Sequence, residues 1–399
     1  MFDFLYDHYE TFKESIVTNK RITTTQWNLL YEKWNHSPYF TIKEIGKTYQ
    51  GESIHEIKWG VGPIQIAAWS QMHGDEATAT MALTDIYTFL SKENPLNDQM
   101  WEKLHQNITF HCIINLNKDG AKLWQRETAL DIDMNRDAQS QITPEAKLLS
   151  AWVDQINPTY SFNLHDQNRL YSAGKSPYQT KIALLATSGD QEGTWTPSRL
   201  RAAKLANHLT KRLKKYIGNH LAKWNDEYEP RAFGDTFQER GYGLLLVEAG
   251  GMPYDVDKQY LRKLTACMLL DSLYQIATNS LENESIEAYQ NLPTNEKCIA
   301  DIKIKNAPIT MDGIHRADLL LNIKETPIDD KTFQYSWILE DIGDMSHMYG
   351  ITEINGTNLS LFEPTSLKKE KEYIEFILKE DSEIIFKLSD YTQKINQNI

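Results

Sequence analysis

The chain reads as an α/β protein, with a mixed, largely parallel sheet flanked by helices and a small all-β domain after it. Two patterns predict this. From Phe40 to Ala277, short apolar runs suited to buried strands alternate with stretches of helical period. Past about residue 296 the period becomes two, with Phe333, Tyr335, Trp337 and Leu339 alternating strictly. Size agrees: 399 residues exceed one ordinary domain of ~100–200 residues.

Taken in order, Phe2, Leu5, Tyr9, Phe12 and Ile16 recur at helical spacing, and Thr23 to Thr25 offer an N-cap for a second short helix. Residues 1–38 are therefore expected to form a helical extension. Residues 40–45 and 54–59 flank Gly46 and Gly51 and predict a hairpin. Strands are then expected at 63–69, 108–115, 160–164, 181–186 and 243–247. Helices are expected at 77–90, at 144–156 behind Thr143, at 197–217 and at 256–277. These make a catalytic domain over 39–285. A polar, turn-rich stretch near 280–296 reads as a linker, and 296–399 as the β domain, a sandwich by its alternation.

Composition narrows the function classes. Lys and Arg total 42 against 55 Asp and Glu, a net charge of −13, which excludes the basic face that nucleic acid requires. No apolar run approaches the ~20 residues of a membrane span. The N-terminus carries no apolar signal core, so a cytoplasmic location is expected. Cys112, Cys267 and Cys298 are scattered, which leaves no disulfide framework and no thiolate metal site.

The polar residues at strand ends carry the chemistry. His73-Gly-Asp-Glu76 follows a strand and precedes a helix, where open α/β sheets bind ligands, and a His and a Glu three apart can share one metal ion. Eleven His give roughly one such spacing by chance, and a surface His beside a helix-opening Glu fits equally well. His165 ends another strand and would supply the third ligand, or simply form hydrogen bonds. Glu248 ends the most apolar strand. There it is either a general base with a raised pKa or a carboxylate bound by backbone N–H groups. Arg126 could stabilise an oxyanion, and Asn135 with Arg136 could hold a carboxylate; each arginine read singly is a surface residue.

Taken together, His73-Gly-Asp-Glu76, Asn117-Lys-Asp-Gly120, Arg126, Asp133-Met-Asn-Arg136, Pro144-Glu145, Asn163-Leu-His165 and Val247-Glu248 fall in the order of the zinc carboxypeptidases, peptidase family M14. The chain resembles a compact bacterial-type member over about 42–277. That resemblance implies a Zn²⁺ held by His73, Glu76 and His165 with a water completing the site. It implies Glu248 as general base and Arg126 with the metal as oxyanion stabilisers. Asn135 and Arg136 would bind the C-terminal carboxylate of a peptide, and Tyr228, or its rival Tyr242, would be the family's mobile tyrosine. Lys118 replaces a usual Pro, and Asp166 a common Ser. The 89-residue interval from Glu76 to His165 is shorter than in digestive members. It also approaches the succinylglutamate desuccinylase and aspartoacylase deacylases, whose substrates are N-acyl-amino acids. A non-catalytic binding module retaining the fold is the third reading. Asp75 and Asp166 are expected to orient a loop or a histidine. His315-Arg-Ala-Asp318 and Lys211-Arg-Leu-Lys-Lys215 are read as surface.

Overall fold

The computed structural model describes residues 1–91, 98–253, 255–363, 367–373, 377–380 and 383–390. Two compact units divide the chain. The first comprises Met1–Gln167, Lys181–Gly250 and Lys258–Thr294, and the second Asn168–Thr180, Gly251–Asp257 and Asn295–Ile399.

The first unit is built on eight strands: β1 (Phe40–Lys47), β2 (Ser53–Trp59), β3 (Ile64–Ser70), β4 (Ile108–Ile113), β5 (Tyr160–Asp166), β6 (Ile182–Ala186), β7 (Leu221–Lys223) and β8 (Gly243–Ala249). Their order across the sheet is β1-β2-β4-β3-β5-β8-β6-β7. The four central strands β4, β3, β5 and β8 are mutually parallel, while β1, β2 and β6 bring antiparallel pairings. Both faces are covered. Along β3, Ile66 and Ala68 enter one core and Ala67 and Trp69 the other, which is why this strand reads as continuously apolar.

The helices begin where capping chemistry places them. Thr143 and Thr196 accept the N-cap hydrogen bonds of α6 (Pro144–Ile156) and α7 (Pro197–Ile217), each with Pro in the first turn. Thr23 forms a capping box with Gln26 at the head of α2 (Thr24–His36). The extension departs from a continuous helical reading: α1 (Phe2–Asp7) gives way to one 3₁₀ turn, and residues 12–23 are irregular. Phe2, Leu5, Tyr9, Phe12 and Val17 are nonetheless buried in the first core. Arg262 of α9 (Gln259–Ala277) anchors the irregular run by donating to the carbonyls of Val17 (2.7 Å) and Glu14 (2.9 Å), and donates as well to the Asp85 carboxylate on α3 (Thr78–Leu90). Short helices α4 (Asp98–Asn107), α5 (Lys118–Leu123), α8 (Phe233–Glu239) and α10 (Glu287–Gln290) complete the unit.

The second unit has a five-stranded sheet ordered Tyr349–Asn355, Ile299–Pro308, Arg316–Pro327, Phe333–Gly343, Glu372–Tyr373, and a three-stranded sheet of Ser360–Glu363, Ile377–Glu380 and Glu383–Lys387. Trp337 and Leu319 from one and Leu361 and Leu378 from the other share a single core, as the two inner faces of a sandwich do. A two-stranded ribbon pairs Ser172–Ala173 with Asn295–Glu296. Among the described residues no helix is long and apolar enough to cross a membrane.

Candidate active site

Three parallel strands deliver polar groups to one edge of the sheet. β3 ends at Ser70 and leads to His73; β5 carries His165; β8 carries Glu248. His165 and Glu248 are register partners on adjacent strands, so their Cα atoms sit side by side. The His73 loop is shaped by backbone contact. A Cβ on Gly74 would lie 2.1 Å from the Gly120 carbonyl carbon, and one on Gly120 only 2.5 Å from the Glu127 carbonyl oxygen. Glycine is required at both places because two main chains touch there. Asn117 sets this loop by accepting from Gly120 N–H (2.9 Å) while donating to the Glu127 carbonyl (3.1 Å); Gly74 N–H donates to the Arg126 carbonyl.

The side chains of His73, Glu76 and His165 converge. Glu76 Oε1 lies 2.7 Å from His73 Nδ1, and Glu76 Oε2 lies 2.8 Å from His165 Nδ1. The two Nδ1 atoms approach to 3.2 Å. This is the one group of three or more such ligands found among the described residues, its ligand atoms all within 4.8 Å. Two imidazole nitrogens and a carboxylate aimed at one point, all buried, form a nitrogen–oxygen donor set of the kind a zinc ion accepts.

The surrounding groups orient the donors. Asp133 Oδ1 bonds His73 Nε2 at 3.0 Å, and its Oδ2 accepts from Arg126 Nη2 at 3.1 Å. Arg126 Nη1 also reaches Glu76 Oε1 at 3.0 Å. Burial opposes protonation of His73, but the Glu76 charge and the bonds to Asp133 and Glu76 outweigh it and raise its pKa to about 9. Burial likewise lowers the pKa of His165. Glu248 is 8% exposed and its Oε2 has no hydrogen-bond partner. Burial, then the Glu76 charge, push its pKa well above the usual carboxylate range.

The other expected residues are placed as follows. Asn135 is buried, and its Oδ1 accepts from Phe233 N–H at 3.0 Å. Arg136 is 43% exposed, donates to the Asn135 carbonyl and lies 3.7 Å from Glu229. The charges facing Tyr228 are those of Glu239, Asp235 and Asp190, while the Tyr242 hydroxyl donates to Asp154. Neither tyrosine is brought to the His–Glu–His cluster by these contacts. The carboxylate that orients His73 is Asp133, not the exposed Asp75. Asp166 accepts instead from Thr78 and from Lys258 Nζ (2.9 Å), and only its backbone N–H serves Glu76. The signal for Asp133 was its position two residues before Asn135 in the D-x-N-R stretch. Glu145 holds the hairpin turn by accepting from Tyr49 N–H. Lys118 donates to the Ser53 carbonyl and lies over the Tyr31 ring of α2, so this departure ties the extension to the site's framework.

A sequence profile described as zinc carboxypeptidase matches residues 29–251. The chain belongs to that family, M14. Carboxypeptidase SOL1 of Arabidopsis thaliana is 27% identical over 137 residues, which span 30% of this chain and 28% of that protein. The metallo-carboxypeptidase of Burkholderia cenocepacia superposes with a TM-score of 0.52 at 14% identity, over 65% of this chain and 70% of that one. The metallo-carboxypeptidase of Pseudomonas aeruginosa, solved with (2-guanidinoethylmercapto)succinic acid, gives 0.51 at 13% identity over 65% and 70%. At such identities the two structures establish a shared fold.

Proposed function

We propose that the chain is a zinc-dependent carboxypeptidase that hydrolyses the C-terminal peptide bond of peptides bearing a free carboxylate. The observation that carries this reading is the pairing of His165 with Glu248 across adjacent strands, with an unpartnered Glu248 oxygen next to three convergent metal donors.

His73, Glu76 and His165 would hold the zinc. When bound, that ion supplies a Lewis acid that polarises a carbonyl and makes water acidic near neutral pH. Glu248, whose burial raises its proton affinity, takes the proton of the attacking water and passes it to the leaving amine. Arg126 is steadied by Asp133 and Glu76, and its side chain is 41% exposed, which leaves it able to donate to an oxyanion. Asn135, fixed through Phe233, and Arg136, half-exposed on its backbone anchor, would receive the substrate carboxylate.

The test offers the zinc-loaded protein N-blocked dipeptides and, in parallel, N-acetyl and N-succinyl amino acids. Turnover of the dipeptides, lost when their C-terminus is amidated, is expected. Turnover confined to the N-acyl amino acids would make the protein a deacylase on the same centre.

A further inference from the structure

His165 and Glu248 stand on neighbouring strands, and from each the chain runs within a few residues into the second unit. Asn168 follows Gln167, and Gly251 follows Gly250. The contacts of these two exits within the second unit are close. A Cβ on Gly251 would lie 2.5 Å from the Arg169 Cβ, 2.6 Å from the Arg169 carbonyl oxygen and 2.5 Å from Gln179 Nε2. Gln179 Nε2 donates to that same Arg169 carbonyl at 2.7 Å, and Gly251 N–H donates to the Thr180 carbonyl at 3.0 Å. Main chain therefore lies on main chain, a packing that glycine alone allows.

The Arg169 side chain ends on Asp301 in the strand Ile299–Pro308. Its two terminal nitrogens meet both carboxylate oxygens. Asp301 is itself immobilised: it is 6% exposed, its carboxylate accepts from Ile323 N–H at 2.8 Å, and its own N–H donates to Asn322 Oδ1 at 3.1 Å. A bidentate arginine–carboxylate fork fixes orientation as well as distance. A buried pair of this kind often adds little net stability, and what it contributes is geometry.

We propose that Arg169, braced on Asp301, is a positioning residue for the hydrolytic centre. It holds its own backbone against Gly251 and thereby sets the chain four residues past His165 and three past Glu248. Through the covalent chain this brace steadies the strand ends that carry His165 and Glu248. The inference rests on the roles given above to His165 and Glu248.

Two variants of the full chain test it. Arg169→Lys keeps the charge and loses the fork; Gly251→Ala adds the Cβ that the contact excludes. With folding verified by circular dichroism, each variant should bind zinc about tenfold more weakly in competition with a chelator, the range that changes behind a ligand produce. Each should lower kcat by about tenfold or more, the scale of a small misplacement of reacting groups, with KM within twofold. Folded variants that bind zinc within twofold of the wild type overturn the proposal, even where their thermal midpoint has dropped, because Arg169 and Asp301 would then be a structural bond only. A wild-type protein that binds zinc yet hydrolyses no peptide defeats the carboxypeptidase reading alone, and the zinc titration still decides the role of Arg169.

Discussion

Gly74→Ala is the most informative small change in the loop that carries His73. The added methyl would meet the Gly120 carbonyl carbon at 2.1 Å, Ala121 N at 2.3 Å and the Gln125 carbonyl oxygen at 2.5 Å, where ordinary contact begins at 3.4 Å. All three atoms are backbone, so no rotamer change relieves the clash, and one chain must move by more than 1 Å. Either movement damages the centre. Shifting the Gly74 side displaces His73, and shifting the opposite side displaces the segment whose Arg126 carbonyl accepts from Gly74 N–H. Overpacking of this sort costs about 1–3 kcal/mol of stability. A 1 Å error in reacting groups costs about 10²-fold in rate. The expected result is a folded protein with a thermal midpoint lower by a few degrees and kcat on an N-blocked dipeptide lower by about 100-fold. A Gly74→Ala protein with full zinc occupancy and kcat within threefold of the wild type would refute the idea that this close approach positions His73 and Arg126.

Three further outcomes follow from the same geometry. Asp133→Asn should weaken zinc binding by about 10- to 100-fold, measured by chelator competition, since His73 loses its charged partner. Arg262→Ala should destabilise the fold by about 3–5 kcal/mol in urea melts, because it strands the fully buried Asp85 and frees the carbonyls of Glu14 and Val17; limited proteolysis should then cut within residues 12–23. Asp235 supplies a pH test. Burial raises its pKa to about 7 from 3.8, so between these values the folded chain holds a proton that the unfolded chain has lost. Its contribution to stability is complete below pH 3.8 and is lost as pH rises through about 7, and Asp235→Asn should remove that part of the slope of urea-melt stability against pH.

What the sequence makes legible is local. Helices α6 and α7 are readable to the residue because Thr143-Pro144 and Thr196-Pro197 state their beginnings chemically. The convergence of His73, Glu76 and His165 is readable because strand ends in an α/β sheet share one edge. Short helices escape notice: α5 spans six residues, contains Gly120 and owes its start to the Asn117 cap, and α8 contains Gly234. Long-range partners escape as well. Asp133 reaches His73 from 60 residues away. Within the irregular run 12–23, Phe12, Glu14 and Val17 are buried without a helix, and Arg262, some 250 residues later, satisfies the carbonyls of Glu14 and Val17. The membership of Asn168–Thr180 and Gly251–Asp257 in the second unit depends on contacts of the same non-local kind.

The general-base role of Glu248 is open to the most direct test. Wild-type and Glu248→Gln proteins, both loaded with one zinc per chain, would be compared for turnover of an N-blocked dipeptide with a free C-terminal carboxylate. The buried carboxylate beside His165, with its Oε2 unpartnered, predicts a loss of about 10²–10⁴-fold in kcat with zinc retained. A zinc-replete Glu248→Gln protein that turns over at the wild-type rate would contradict it.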